Sequence, residues 1–181
     1  KYGREPDHLK IMPGINPFVG RTQEEAQATF ERLQDLIPPA VGVKMLSHYI
    51  GHDLTGLPED EPLPNLPQKK AGNTTRTDLL VTLARRENLT IRDLYKRIAG
   101  ARGHFQIIGT PQTICDMMQQ WVEEGGADGF NVMPPSFPTG LTDFIELVIP
   151  ELRRRGLFRF EYTGSTLRHH LGLPMPRRNF R

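Results

Sequence analysis

The sequence has almost no cysteine. Cys115 stands alone among 181 residues, so an internal disulfide is excluded and a reducing compartment suits the chain. Long apolar runs are missing as well. Nothing approaches the roughly 18–20 residues that cross a bilayer, and the basic N-terminus is not followed by the apolar core of a signal peptide. Together these absences point to a cytoplasmic protein with no membrane partner. Residues at metal-ligand spacing are also scarce. His48 and His52 stand four apart, but the glutamate of the zinc-protease pattern is absent and Gly51 argues against a firm helix, so no metal site is expected.

What the chain does have is glycine and proline, 17 and 16 residues, which predict many loops. Its 37% hydrophobic and 24% charged residues are those of a globular protein, and its length suits one domain, since domains most often hold about 100–150 residues. The net charge of +2 hides an asymmetry: from Arg153 onward there are eight arginines against one acid, Glu161, while the preceding part holds 15 Lys/Arg and 20 Asp/Glu. The basic tail, 159–181, could be a phosphate- or nucleic-acid-binding arm. Its aromatics are sparse and no nucleic-acid motif precedes it, so a solvated tail, or one docked on an acidic neighbour, is expected instead.

Along the chain, Leu9-Lys10-Ile11-Met12 is apolar on alternate positions and reads as a strand closed by Pro13-Gly14. Thr22 and Glu25 predict a capped helix with Ala26, Phe30, Leu33 and Ile37 along one face, stopped by Pro38-Pro39. From Gly51 to Asn73 the sequence is irregular and rich in proline and acids, which marks a functional or mobile segment. Two helices follow, with stripes Leu79, Leu80, Leu83, Ala84 and Ile91, Leu94, Tyr95, Ile98, the second capped by Thr90. Phe105-Gln106-Ile107-Ile108 predicts a strand. Gly109-Thr110-Pro111 then opens a helix striped by Ile114, Met117, Met118, Trp121 and Val122 and ended by Gly125-Gly126. Gly129 to Met133 predicts a third strand, and Leu141, Phe144, Ile145, Val148 and Leu152 stripe a last helix that Pro150 should kink or break.

Such alternation is the pattern of βα units on a parallel sheet covered on both faces. Three strands make no comfortable free-standing parallel sheet, so the chain is expected to belong to something larger or to complete itself by association. An unpaired strand edge near Leu9 would need a partner.

The ordered set Ile107-Ile108-Gly109-Thr110-Pro111, Gly126-Ala127-Asp128-Gly129-Phe130-Asn131-Val132-Met133-Pro134-Pro135, Ile11-Met12-Pro13-Gly14, Ser47-His48-Tyr49-Ile50-Gly51-His52-Asp53 and Val148-Ile149-Pro150-Glu151-Leu152 resembles the C-terminal part of the bacterial-luciferase-like flavin monooxygenases. The resemblance is to the branch with nitrilotriacetate, dibenzothiophene-sulfone and long-chain alkane monooxygenases. It implies an α/β fold: the last three βα units of a (β/α)8 TIM-type barrel within 1–158, with an insertion at about 42–104. Such barrels hold about 250 residues, so an N-terminal barrel portion is the implied partner, together with a flavin reductase that supplies reduced FMN and a small-molecule substrate. No FMN-binding residue carries over.

In a βα barrel the active site lies at the C-terminal ends of the strands. The resemblance therefore makes Asn131 and Met133 candidates for the wall of a flavin or substrate pocket, beside the stiff Pro134-Pro135 loop; plain packing of Phe130 and Val132 with prolines that merely end a strand explains the same residues equally well. It also suggests His52, and next His48, as the imidazole that donates a proton or orients substrate, with Tyr49 as pocket wall; the plain alternative is an exposed loop with two ordinary histidines. His8, His104, His169 and His170 read as surface or capping residues, Cys115 as inert packing, and Asn16 as a loop residue near a ligand or in a turn. The function expected is part of an FMN-dependent monooxygenase, inactive alone. A non-catalytic relative acting as a binding or homo-oligomerisation module is the alternative.

Overall fold

The computed structural model describes residues 5–66, 74–101 and 103–175. Its helices are α1 (Gln23–Asp35), α2 (Pro39–Ile50), α3 (Thr74–Glu87), α4 (Ile91–Ala101), α5 (Pro111–Glu123), α6 (Thr139–Asp143), α7 (Ile149–Arg154) and the short α8 (Leu167–His170). A π-helical stretch, Phe144–Val148, joins α6 to α7. Its strands are β1 (Gly14–Val19), β2 (Phe105–Gly109) and β3 (Asn131–Val132). Two compact units result, one from residues up to 27 and from 104 onward, the other from residues 28–103, with α1 passing from the first to the second. The expected insertion, 42–104, overlaps the second unit. Residues 67–73 of the irregular stretch and 176–181 of the basic tail, with Arg177, Arg178 and Arg181, lie outside the described residues.

The first unit holds a parallel sheet in the order β2-β1-β3. Consecutive barrel strands would lie in chain order; here the first strand is central. The strand also begins where the sequence pattern ended it. Leu9 and Ile11 are 71% and 57% exposed, and the Asp128 carboxylate takes the Ile11 N–H at 2.7 Å. Ile15, Phe18 and Val19 are buried, so burial selects the stretch after Pro13-Gly14. Among the described residues no unpaired edge of β1 remains, because it is paired on both sides and the outer strands are β2 and β3.

Side chains alternate across a strand. Val19, Ile107 and Val132 pack on one face against Ile114 and Cys115 of α5 and Phe144, Val148 and Leu152 of the last helices. Thr110 caps α5 by accepting from the Thr113 N–H at 3.3 Å, as its spacing predicts. The stripe is displaced by one position, since Cys115 is fully buried and Val122 is 45% exposed. Pro150 has no N–H to give, and the helix absorbs the loss by widening: Ile149 donates to Phe144, five residues back. Arg155 binds this helix to α5 through Glu151 at 2.7 Å and Asp116 at 2.5 Å.

The second unit packs Val43, Leu46 and Ile50 of α2 against Ala84 of α3 and Ile91, Leu94, Tyr95 and Ile98 of α4. Helix α2 is absent from the sequence reading although its signals were there. Pro39 sits in the first turn, Val43, Leu46 and Ile50 lie at helical spacing, and Gly51 at φ +73° closes it. The α3 stripe is narrower than expected, with Leu79 66% exposed. The described part of the irregular segment caps α4, since the carbonyls of Glu61 and Glu59 accept from the N–H groups of Ile91 and Arg92. Thr90 and Asp93 complete a reciprocal capping box.

Candidate functional site

Residues paired across a parallel ladder point the same way. The register Asn16↔Gln106, Phe18↔Ile108 and Gly14↔Asn131 therefore gathers Asn16, Gln106, Asn131 and Met133 on the sheet face opposite the one that α5, the π-helical stretch and α7 cover. Asn16 is 4% exposed. Its Nδ2 donates to the Met133 carbonyl at 2.6 Å, and its Oδ1 accepts from Gln106 Nε2 at 3.4 Å. Asn131 Nδ2 donates to the Met12 carbonyl at 2.9 Å.

Gly14 lets this cluster close. A Cβ there would lie 2.6 Å from His104 Nδ1, closer than real Cβ atoms approach, and a tight 3.0 Å from Met133 Sδ. His104 and Met133 thus crowd one point of the face, beside Asn131, the ladder partner of Gly14. Sequence reasoning set His104 aside as a capping residue and passed over Gln106. The signal that would have found both is the β1–β2 register, which sets residue 104 beside Gly14 and which no local pattern encodes. Asn16 is in mid-strand and not in a loop, because the strand lies further along the chain than its apolar alternation suggested.

Met133 is 37% exposed and Asn131 is exposed, whereas Val132 packs in the helix-side core. Trp121 sits between Phe105 and Phe130, with ring centroids at 5.2 and 6.1 Å.

The other candidates belong to the second unit. His48 is exposed in the last turn of α2, with its ring edge-on to Tyr49 at 6.1 Å. Tyr49 is half-buried and packs on that unit's core, and its carbonyl accepts from Thr77 Oγ1 at 3.0 Å. His52 is half-buried and lies past the Gly51 cap, so the two imidazoles do not share a helix. Among the described residues no group of His, Cys, Asp and Glu could hold a metal ion. No described helix is long and apolar enough to cross a membrane. An open concavity of about 660 Å³ lies between the start of α2 and residues 55–59, lined by Pro38, Pro39, Val43, Leu57 and Glu59 among others. None of His48, Tyr49 and His52 lines it.

Two networks anchor the units. Tyr95, fully buried, donates its hydroxyl to Glu59 at 3.1 Å and accepts from Arg92 at 3.1 Å; burial, then the Glu59 bond, pushes its phenol up. Hydrogen bonds from Arg154 and Arg155 hold the Glu151 carboxyl down at about 2. Burial pushes the Cys115 thiol up to about 11, which makes it an inert packing group.

No family model matches the chain. Nitrilotriacetate monooxygenase component A of Aminobacter aminovorans is 51% identical over 179 residues, covering 98% of this chain and 39% of that protein. Dibenzothiophene-sulfone monooxygenase of Rhodococcus erythropolis is 36% identical over 177 residues, covering 96% and 39%. Among solved structures, DmoA from Hyphomicrobium sulfonivorans superposes with a TM-score of 0.74 at 32% identity, over 93% of this chain and 35% of that one. Riboflavin lyase, solved with modified FMN and riboflavin, superposes with a TM-score of 0.69 at 29% identity, over 94% and 37%. The chain spans about two fifths of the length of the curated relatives it matches.

Proposed function

We propose that the chain belongs to the luciferase-like monooxygenase family and is the C-terminal part of a (β/α)8 enzyme that uses reduced FMN and oxygen to oxidise a small organic molecule. The observation that carries this reading is the two-sided sheet. One face is sealed by apolar side chains of α5, the π-helical stretch and α7, and the other carries amides at Asn16, Gln106 and Asn131. A barrel wall has this construction, with helices outside and the other strand face turned inward, where ligands meet the residues at the C-terminal strand ends.

The donor set fits a flavin ring. The exposed Asn131 amide can meet the carbonyl or imide edge of an isoalloxazine and the Met133 thioether offers a polarizable contact, whereas the buried Asn16 amide is taken up by Met133 and Gln106. Bound flavin supplies the redox chemistry. The protein's part is to hold the substrate against it, exclude water and move a proton. Asn131 and Met133 belong to the pocket wall. Within the second unit, His52, followed by His48, is the proton-donating or substrate-orienting imidazole, with Tyr49 as the wall beside it. Reduced flavin comes from a separate reductase, and the remaining barrel strands come from sequence outside this chain.

The test is native mass spectrometry of the polypeptide that carries this chain, recording its covalent mass and bound flavin, followed by reductase-coupled oxygen uptake with a panel of organic substrates. A mass well above 20.6 kDa with FMN and substrate-dependent uptake supports the reading, and His52→Ala should then lower turnover at least tenfold. A free 20.6 kDa chain that self-associates and ignores FMN sinks it. That outcome would favour the second reading, a non-catalytic binding or oligomerisation module. One observation speaks for that module: Arg153 and Arg159 stack on Phe158, Phe160 and Tyr162, and Phe160 and Tyr162 remain 71% and 66% exposed.

A further inference from the structure

We propose that Asn16 is a positioning residue. Its side-chain amide replaces the backbone donor that Pro17 removes from the central strand, and so fixes where Met133 and the Pro134-Pro135 loop lie.

In a parallel pair the ladder bonds are evenly spaced and alternate along each strand. On the seam between β1 and β3, Asn131 N–H donates to the Pro13 carbonyl at 2.9 Å and Met133 N–H to the Ile15 carbonyl at 2.8 Å. The next rung requires the N–H of residue 17 to reach the Met133 carbonyl. Residue 17 is proline and has none. Asn16 Nδ2 donates to that carbonyl instead, at 2.6 Å. Gln106 Nε2, at 3.4 Å from Asn16 Oδ1, determines which end of the amide faces Met133.

The seam is clasped a second time at its other end. Asn131 Nδ2 donates to the Met12 carbonyl at 2.9 Å, and Met12 also precedes a proline. An asparagine from each strand therefore holds the carbonyl of a Met-Pro pair on the other. This accounts for the length of β3: the backbone ladder stops at Pro17, and beyond it a side chain alone sets the course of the loop. A proline inside a central strand is tolerated here because its missing donor has a substitute one residue away.

The functional weight of this clasp rests on reading that face as ligand-facing; its geometry does not. The test is NMR of the polypeptide that carries this chain, labelled with ¹³C at the methionine methyls and assigned by Met→Leu replacements. In Asn16→Ala the Met133 methyl should shift and broaden, while that of Met118, packed in the helix-side core, stays in place. Adding Pro17→Ala restores a backbone N–H at position 17 and should return the Met133 signal towards its original position. If Asn16→Ala fails to fold, Asn16→Asp serves. Its carboxylate repels the Met133 carbonyl at neutral pH, and acidification converts it to a donor that restores the signal.

An unmoved Met133 signal in Asn16→Ala overturns the proposal. So does joint movement of Met118 and Met133, or failure of Pro17→Ala to rescue. FMN should shift the Met133 signal of the unsubstituted protein. If FMN leaves it in place while the Asn16→Ala effect and its rescue hold, the pocket reading fails and the clasp stands.

Discussion

Gly42→Ala sets two known effects against each other in α2. Alanine in place of glycine inside a helix is favourable by roughly 1 kcal/mol. At this position, however, the new Cβ would lie 2.6 Å from Cε2 and 2.7 Å from Cγ of Tyr95. Ordinary van der Waals contact begins near 3.4 Å, so the ring must retreat by on the order of 1 Å, judged against normal packing distances. It has nowhere to go: Tyr95 is fully buried, and its hydroxyl is held by Glu59 and Arg92. Overpacking of this kind costs about 1–3 kcal/mol, and here it falls at the upper end because the neighbour is a tethered ring. The net expectation is a loss of about 1–2 kcal/mol after the helix gain is subtracted. In urea denaturation followed by circular dichroism, that lowers the midpoint by about 0.5–1 M with little change in slope. In a Tyr95→Leu background the same Gly42→Ala change should cost nothing or become stabilising, which a double-mutant cycle reads directly. A midpoint equal to or above that of the unsubstituted protein would refute the packing argument and leave helix propensity as the winner.

Three further outcomes are expected. Glu151→Gln should destabilise the protein at neutral pH, with the difference shrinking in acid: the folded carboxyl titrates near 2 against an ordinary 4.5, so its contribution is full above 4.5 and is lost as the pH falls towards 2. Paired melts of both proteins from pH 7 down to 2.5 check this, and a constant gap would contradict it. Cys115, buried with its thiol held up at about 11, should resist iodoacetamide at pH 8 in the native protein and react at once in 6 M guanidinium; rapid native alkylation would refute its burial. Thr110→Ala removes the cap that accepts the Thr113 N–H and should cost about 1 kcal/mol, with Thr110→Ser restoring most of it.

Much of the second unit could be read locally. Thr90 announced a helix start, and Ile91, Leu94, Tyr95 and Ile98 are all buried at helical spacing. In the first unit the Thr110-Pro111 start of α5 and the disturbance at Pro150 were equally legible, because caps and prolines act over one helical turn. Helix α2 was missed although its local signals were present, but the misplaced strand and the shifted α5 stripe share a cause. Leu9 to Met12 alternates as well as Gly14 to Val19 does, and only burial by elements far along the chain decides which one becomes strand. Position 115 joined the α5 core and 122 left it because the face a helix buries depends on what lies across from it. The candidate site was half visible: Asn131 and Met133 stood out before a double proline, whereas Asn16, His104 and Gln106 reach the same face only through the ladder register.

The sequence alone therefore determined the parts. Capping residues, apolar periods of 3.6 and 2, proline and glycine stops, and a string of motifs with family-like spacing specify helices, strands and the resemblance to known relatives, because these signals act within a few residues. Only the tertiary structure decided the arrangement. It placed β1 in the centre, set Gln106 and Asn131 on either side of it, and brought the Asn16 amide to a carbonyl 117 residues away. Strand order and register are fixed by hydrogen bonds and burial between distant segments, and a distant partner leaves no mark on the local pattern.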